Sequence, residues 1–351
     1  MALTILNVAY PLAPVSFDAT GGAEQVVAQL DAALVDAGHR SLVIACQGSQ
    51  VRGTLLPTRA VSGVLHKDAQ TAARTRHRKA IEAALACESI DLVHLHGVDF
   101  ADYLPPPGVP VLVTLHLPPG WYPAHVFTTS RPETYFHCVS ASQARACPQC
   151  ICMLPAIPNG VPVEELRTNV PPDREPFVLS LGRICVEKGY HLALEAAECA
   201  GVPMIIAGRL YDYPAHRDYF RDYIQPRLNA TRRFIGPIGF AQKRDLLSRA
   251  RALLVPSLAP ETSSLVAMEA LACGTPVIAS SAGALPDIIE HGRTGFIADG
   301  VEAMANALAA VDQINPDDCR AAARARFSVT RTNALYLERY HELVRVCRYA
   351  A

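Results

Sequence analysis

No run of this chain approaches the roughly 20 uninterrupted apolar residues that a membrane-crossing helix needs. The apolar opening, MALTILNVAYPLAPVSF, has no basic segment ahead of it. The first Lys or Arg is Arg40, so the opening reads as a buried first strand rather than an export signal. Charge of one sign is also lacking. Lys and Arg number 32 against 33 Asp and Glu, for a net charge of -1, which gives no electrostatic ground for nucleic acid as a partner. Two nucleotide-binding fingerprints are missing. No two glycines are separated by one residue, which excludes G-x-G-x-x-G, and no G-x-x-x-x-G-K-[ST] occurs. No two aspartates stand two apart, so there is no D-x-D to hold a divalent metal against a diphosphate. A protein of this kind acting on a phosphorylated ligand must neutralise charge with side-chain cations and helix N-termini. Four of the eleven cysteines, Cys138, Cys147, Cys150 and Cys152, lie close in sequence. They lack a second pair at finger-like spacing, so they read as reduced thiols and no metal site is expected.

What is present is apolar material for two cores. Half of the 351 residues are apolar and 19% are charged, and this length exceeds what one core usually spans. Short apolar runs alternate with helical stretches. Leu3 to Ala9, Ser41 to Ala45, Leu92 to Leu95, Val111 to Leu115 and Phe136 to Ser140 read as strands, with a helix from about Ala23 to Ala37. The pattern restarts at Phe177 to Leu181 and continues through Met204 to Ala207, Arg233 to Ile235, Ala252 to Pro256 and Val277 to Ser280. Near-continuous apolar strands alternating with helices predict parallel sheets covered on both faces. The Pro-rich stretch from Leu154 to Pro176 separates the two halves. The expected architecture is α/β, with two Rossmann-like domains facing across a cleft: residues 1–160 on the acceptor side and 161–328 on the donor side. A last helix, 329–351, carries an apolar stripe at Leu335, Leu343 and Val346 and packs back on the domains.

Ligands of open parallel sheets bind beyond the C-terminal ends of the strands. Three strand-to-helix segments there could meet a phosphate. Gly21-Gly22 opens the first helix; paired glycines allow unusual dihedrals and a nest of amides. Gly182-Arg183-Ile-Cys-Val-Glu-Lys188-Gly189 follows the first strand of the second half, with Arg183 able to fork onto two oxygens and Lys188 acting as a point charge. The stretch from Pro256 to Val277 carries Glu261 before a helix starting near Ser263 or Ser264, and Glu269 inside it. Two acids beside a phosphate site make sense as readers of sugar and ribose hydroxyls.

These segments, in this order, resemble the retaining glycosyltransferases of family 4, which have the GT-B fold. The likeness covers nearly the whole chain: the GG loop, DLVHLHG at Asp91 to Gly97, TLH ending at His116, CVSAS at Cys138 to Ser142, PNGV ending at Val161, GR-x4-KG at Gly182 to Gly189, the E-x7-E stretch, and GALPDIIEHGRTGF at Gly283 to Phe296. It implies that Arg183 and Lys188 clasp the donor diphosphate. Glu269 would bond the ribose, and Glu261 with the amides of Thr262, Ser263, Ser264, Leu265 and Val266 would hold the donor sugar. Gly182 belongs to the same donor site. Gly21 and Gly22 would approach the diphosphate and the acceptor, and His116 would line the reaction centre, whereas His94 and His96 read as structural. Many relatives carry Gly-Phe-Gly where this chain has Thr262-Ser263-Ser264, so donor identity does not carry over. No cofactor is implied beyond the nucleotide-diphosphate sugar itself, a UDP-sugar ahead of a GDP-sugar.

The resulting expectation is a metal-independent retaining transfer of a hexose-type sugar to a saccharide, lipid-linked or small-molecule acceptor. Sugar departure would be helped by Arg183, Lys188 and helix amides at the diphosphate. The alternatives are a nucleotide-sugar epimerase of the same fold and an inactive nucleotide-sugar-binding protein. The basic stretch Lys67 to Lys79 offers a patch to an anionic membrane surface or a phosphorylated acceptor, although the plainer and favoured reading is a solvated helix or mobile loop. The expected location is cytoplasmic, with weak contact to the inner face of the membrane through that stretch.

Overall fold

The computed structural model describes residues 2–61, 63–149, 152–167 and 174–350. The chain forms two compact units, residues 1–158 with 331–351, and 159–330.

Six strands build the first unit: β1 (Thr4–Val8), β2 (Arg40–Cys46), β3 (Thr54–Thr58), β4 (Leu92–Leu95), β5 (Val111–Leu115) and β6 (Thr134–Cys138). They form one parallel sheet in the order β3-β2-β1-β4-β5-β6. The second unit repeats the plan with β7 (Glu175–Leu181), β8 (Met204–Ala207), β9 (Arg232–Phe234), β10 (Ala250–Val255), β11 (Val277–Ala279) and β12 (Gly295–Ile297). Read from its other edge, its order β9-β8-β7-β10-β11-β12 is the same winding. In each sheet the strand order reverses beside the first strand, between β1 and β4 and between β7 and β10. Such a switch point opens a crevice at the strand ends, where ligands of doubly wound sheets bind.

The central strands are buried on both faces: every residue of β4, β5 and β8 is buried. Two strands escaped the sequence reading. β3 is an edge strand that contains Pro57, whose missing N–H an edge tolerates. β12 is three residues long and opens on Gly295, where a Cβ would stand 1.9 Å from the Val277 carbonyl oxygen.

The final helix, Val329–Ala350, belongs mostly to the first unit. Its buried face is Thr332, Tyr336, Tyr340, Leu343, Val344 and Cys347, a helical i, i+4, i+8 series. The stripe read from the sequence was out of phase: Leu343 lies on the buried face, but Leu335 is only partly covered and Val346 is 49% exposed. The two tyrosines won because their rings reach the histidines of the sheet, with Tyr340 OH 2.7 Å from His94 Nδ1. Among the described residues no helix is long and apolar enough to cross a membrane.

The basic stretch forms the start of the helix Lys67–Cys87, which buries Ala73, His77, Ile81 and Ala84. Lys67, Arg78 and Lys79 are exposed. Arg74 lies 2.9 Å from Asp102, and that partly exposed pairing offsets one of the stretch's positive charges.

Candidate donor site and a histidine core

In the second unit the loop after β7 and the loop after β10 lie side by side because their strands pair. Backbone bonds tie them together, with Leu258 N donating to the Glu187 carbonyl at 2.8 Å. Gly189 makes that approach possible. Its φ is +63°, and a Cβ there would stand 2.1 Å from the Pro256 carbonyl oxygen. Lys188 Nζ donates to Glu261 Oε1 at 2.6 Å, and Ser257 Oγ donates to the same oxygen at 2.5 Å. Burial works against the charge on Glu261. The Lys188 ammonium, the Ser257 hydroxyl and the Arg183 guanidinium outweigh it, so the carboxyl is held below the usual carboxylate range. Gly283 supports the acid from behind. At φ +65° it pairs with Glu261, and Ala284 N donates to the Glu261 carbonyl at 2.8 Å.

The helix Leu265–Ala272 follows, with Ser264 at its N-cap. Its first intrahelical bond runs from Met268 N to Ser264 O, which leaves the earlier amides at the helix start without an intrahelical acceptor. Glu269 is 1% exposed. Its Oε1 accepts from Lys243 Nζ at 2.5 Å, whereas its buried Oε2 has no hydrogen-bond partner. The hydroxyls of Ser263 and Ser264 are buried and unpartnered too. Three orphaned polar oxygens on one short segment are costly for a core and ordinary for a site that receives hydroxyl or phosphate groups.

The structure thus brings Arg183, Lys188 and Glu261 into one electrostatic group and places Thr262, Ser263, Ser264, Leu265, Val266 and Glu269 on the segment that follows. Gly182, at φ +138°, lets the chain leave β7 past the Tyr190 hydroxyl, 2.8 Å from where a Cβ would stand. Two partners escaped the sequence reading. Lys243 lies on the helix Phe240–Arg249, 26 residues before Glu269, and no spacing rule connects them. Ser257 sits one turn of loop before Glu261 with no motif around it.

In the first unit Gly21 and Gly22 open the helix Gly22–Asp36. Neither glycine has a positive φ, and Gly21 is an ordinary extended N-cap at φ -84°. What its missing side chain spares is space: a Cβ would meet the Glu24 carboxylate at 1.9 Å. The unusual dihedrals that paired glycines allow are not used, because the helix starts directly from extended backbone.

His116, just beyond β5, is 9% exposed and bonds through Nε2 to His96 Nδ1 at 3.0 Å. Thr114 Oγ1 lies 2.7 Å from His94 Nε2 and 2.6 Å from His137 Nε2. These rings form a continuous buried polar layer. Burial, with the repulsion of neighbouring histidines, pushes His116 down to about 3 and holds His94 and His96 well below the ordinary range. Burial also takes His137 to about 3 and His77 to about 4. His116 is therefore a neutral ring at pH 7, fit to hold a hydroxyl by hydrogen bonding and not to carry charge.

Cys138 and Cys147 are in contact, and the Cys138 thiol stays protonated while it donates to Cys147. Cys152 packs on the same core, and Cys150 lies outside the described residues. Among the described residues these thiols do not make a three-ligand group.

The second unit matches the family model described as Glycosyl transferases group 1 over residues 163–326. The first matches Glycosyltransferase Family 4 over residues 20–165. The chain belongs to the family 4 glycosyltransferases. A phosphatidyl-myo-inositol mannosyltransferase of Mycolicibacterium smegmatis is 29% identical to this glycosyltransferase over 353 aligned positions, covering 90% of the chain and 86% of the relative. A D-inositol 3-phosphate glycosyltransferase of Streptomyces scabiei is 47% identical over 68 residues, which is 19% of the chain and only 15% of that relative. The Anabaena protein HepE, solved in complex with UDP-glucose, superposes with a TM-score of 0.74 at 18% identity, covering 97% of this chain and all of that one. The fold is GT-B.

Proposed function

We propose that this glycosyltransferase moves a hexose-type sugar from a nucleotide-diphosphate donor held at the β7/β10 switch point to an acceptor hydroxyl, with retention of anomeric configuration. The observation that carries the reading is the asymmetric state of Glu269. One oxygen is fixed by Lys243 and the other is buried and unpartnered. A carboxylate so held is an acceptor ready for a ribose hydroxyl and cannot swing away from it. The Lys188–Glu261 pair is fixed by the neighbouring loop, where the diphosphate and the sugar would follow.

Breaking the anomeric C–O bond leaves negative charge on the departing diphosphate. Arg183, Lys188 and the first amides of the helix Leu265–Ala272 supply preorganised positive charge for it, which is why the reading needs no metal at the diphosphate. The acceptor oxygen bonds to the anomeric carbon on the face the phosphate leaves, and its proton passes to the leaving phosphate oxygen. Glu261, charged and occupied by Lys188 and Ser257, orients sugar hydroxyls and is not the nucleophile. A UDP-sugar is the first donor to test, supported by HepE's complex with UDP-glucose. Inositol-bearing acceptors come first because two relatives are named for them.

The test is thermal-shift and calorimetric binding of UDP-, GDP- and ADP-sugars to the wild type and to Glu269→Gln, followed by NMR of the product anomer. A donor that binds both proteins equally overturns the placement. A product of inverted configuration overturns the mechanism.

A further inference from the structure

A second ligand set lies in the same unit and has no part in the donor reading. The loop that carries Arg183 and Lys188 also carries Cys185 and Glu187, and the helix Pro214–Tyr219 presents His216 to them. The Cys185 sulfur, a Glu187 carboxylate oxygen and a ring nitrogen of His216 all lie within 4.8 Å of one another. Cys185 is 2% exposed. His216 Nδ1 is buried and has no hydrogen-bond partner, although the ring packs beside Tyr213. No other group of three or more such residues converges among the described residues.

We propose that Cys185, Glu187 and His216 bind a thiophilic divalent cation of the Zn2+ class, which clips the Arg183/Lys188 loop to the helix Pro214–Tyr219. The donor set decides the class. Thiolate with imidazole and one carboxylate suits Zn2+ or Co2+, whereas Mg2+ and Ca2+ take oxygen donors. A tetrahedral ion with bonds of about 2.0–2.3 Å sets its ligands about 3.3–3.8 Å apart, so separations no wider than 4.8 Å need close by no more than about 1.5 Å. Charge permits the site despite its neighbour: His216 feels both the Arg183 guanidinium and the Glu187 carboxylate. A thiolate and a carboxylate together cancel the two charges of the ion, so it can sit near Arg183 without net repulsion. Binding takes the thiolate, and the Cys185 proton passes to bulk buffer. Three protein ligands leave a fourth position to water.

The inference does not depend on the donor reading, and its experiment needs no substrate. The full chain, reduced and stripped with chelator, is titrated with Co2+ and followed by near-ultraviolet absorbance. One equivalent should produce a thiolate-to-metal charge-transfer band that Zn2+ bleaches by displacement. His216→Gln and Glu187→Gln, which alter partly exposed side chains, should each weaken Co2+ binding at least tenfold. Cys185→Ser should lose the band. A Cys138→Ser, Cys147→Ser double variant should keep the band, which separates this site from the other thiols. Retention of full-strength binding by His216→Gln and Glu187→Gln, or loss of the band in the double variant, overturns the proposal. So does the absence of any band in the wild type.

Discussion

Acidification should unfold the first unit well before ordinary acid denaturation, because its core is built on neutral histidines. His77, His116 and His137 are held near 4, 3 and 3 in the fold, against 6.5 in the unfolded chain. The unfolded state therefore binds protons that the folded state refuses, and stability falls as pH drops through 6.5 and continues to fall until the folded values are reached. From pH 7 to pH 5 the unfolded-state titration of one such ring costs about 2 kcal/mol, and three cost about 6 kcal/mol. His94 and His96 act in the same direction. Since whole domains hold only about 5–15 kcal/mol, this is enough to bring the unit close to its midpoint at pH 5. The only tryptophan, Trp121, lies in this unit and reports on it separately. Urea unfolding followed by Trp121 fluorescence at pH 7, 6 and 5 should show a midpoint that drops steeply below pH 6.5. An unfolding free energy constant to within about 1 kcal/mol from pH 7 to pH 5 would refute the claim that these rings are buried neutral.

Other expectations concern the second unit. Arg183→Ala and Lys188→Ala should each lower turnover by roughly 2–4 kcal/mol of transition-state stabilisation, about 30- to 900-fold, in a steady-state assay with the identified donor. Lys243→Ala leaves the Glu269 carboxylate buried without its cation, which should cost about 3–5 kcal/mol in chemical denaturation. Lys243→Ala combined with Glu269→Gln should recover most of that stability without recovering donor binding. Gly283→Ala should cost at least about 1–2 kcal/mol for its left-handed backbone alone. It should also weaken donor binding, because the added Cβ would stand 2.3 Å from the Glu261 carbonyl oxygen.

The doubly wound architecture was legible because apolar strands of a parallel sheet are buried on both faces and read as unbroken runs. The exceptions have local causes: β3 carries a proline an edge can hold, and β12 begins on a glycine that packs against β11. The candidate donor segments were legible because strand-to-helix loops announce themselves by glycine and charge, as in Gly182-Arg183 and Lys188-Gly189. What no spacing could reveal was pairing across elements. Glu269 meets Lys243 from another helix, and His94 meets Tyr340 from 246 residues away. The phase of the final helix failed for the same reason, since tyrosines that bond to buried histidines outcompete aliphatic side chains that merely repel water. At Gly21-Gly22 the paired glycines permit unusual backbone, and the backbone there is ordinary.

The final helix carries a further consequence, for the order in which the protein can assemble. Residues 159–330 are a continuous stretch and hold every strand of their sheet. Residues 1–158 leave the ribosome before residues 159–330, yet His94 and Thr114 find Tyr340 and Tyr336 only when the helix Val329–Ala350 has been made. Of the two units, the one begun earlier is thus the one that must wait. Until that helix is made, a polar histidine layer stands open on its surface, and an isolated fragment ending at Pro158 would keep that layer uncovered.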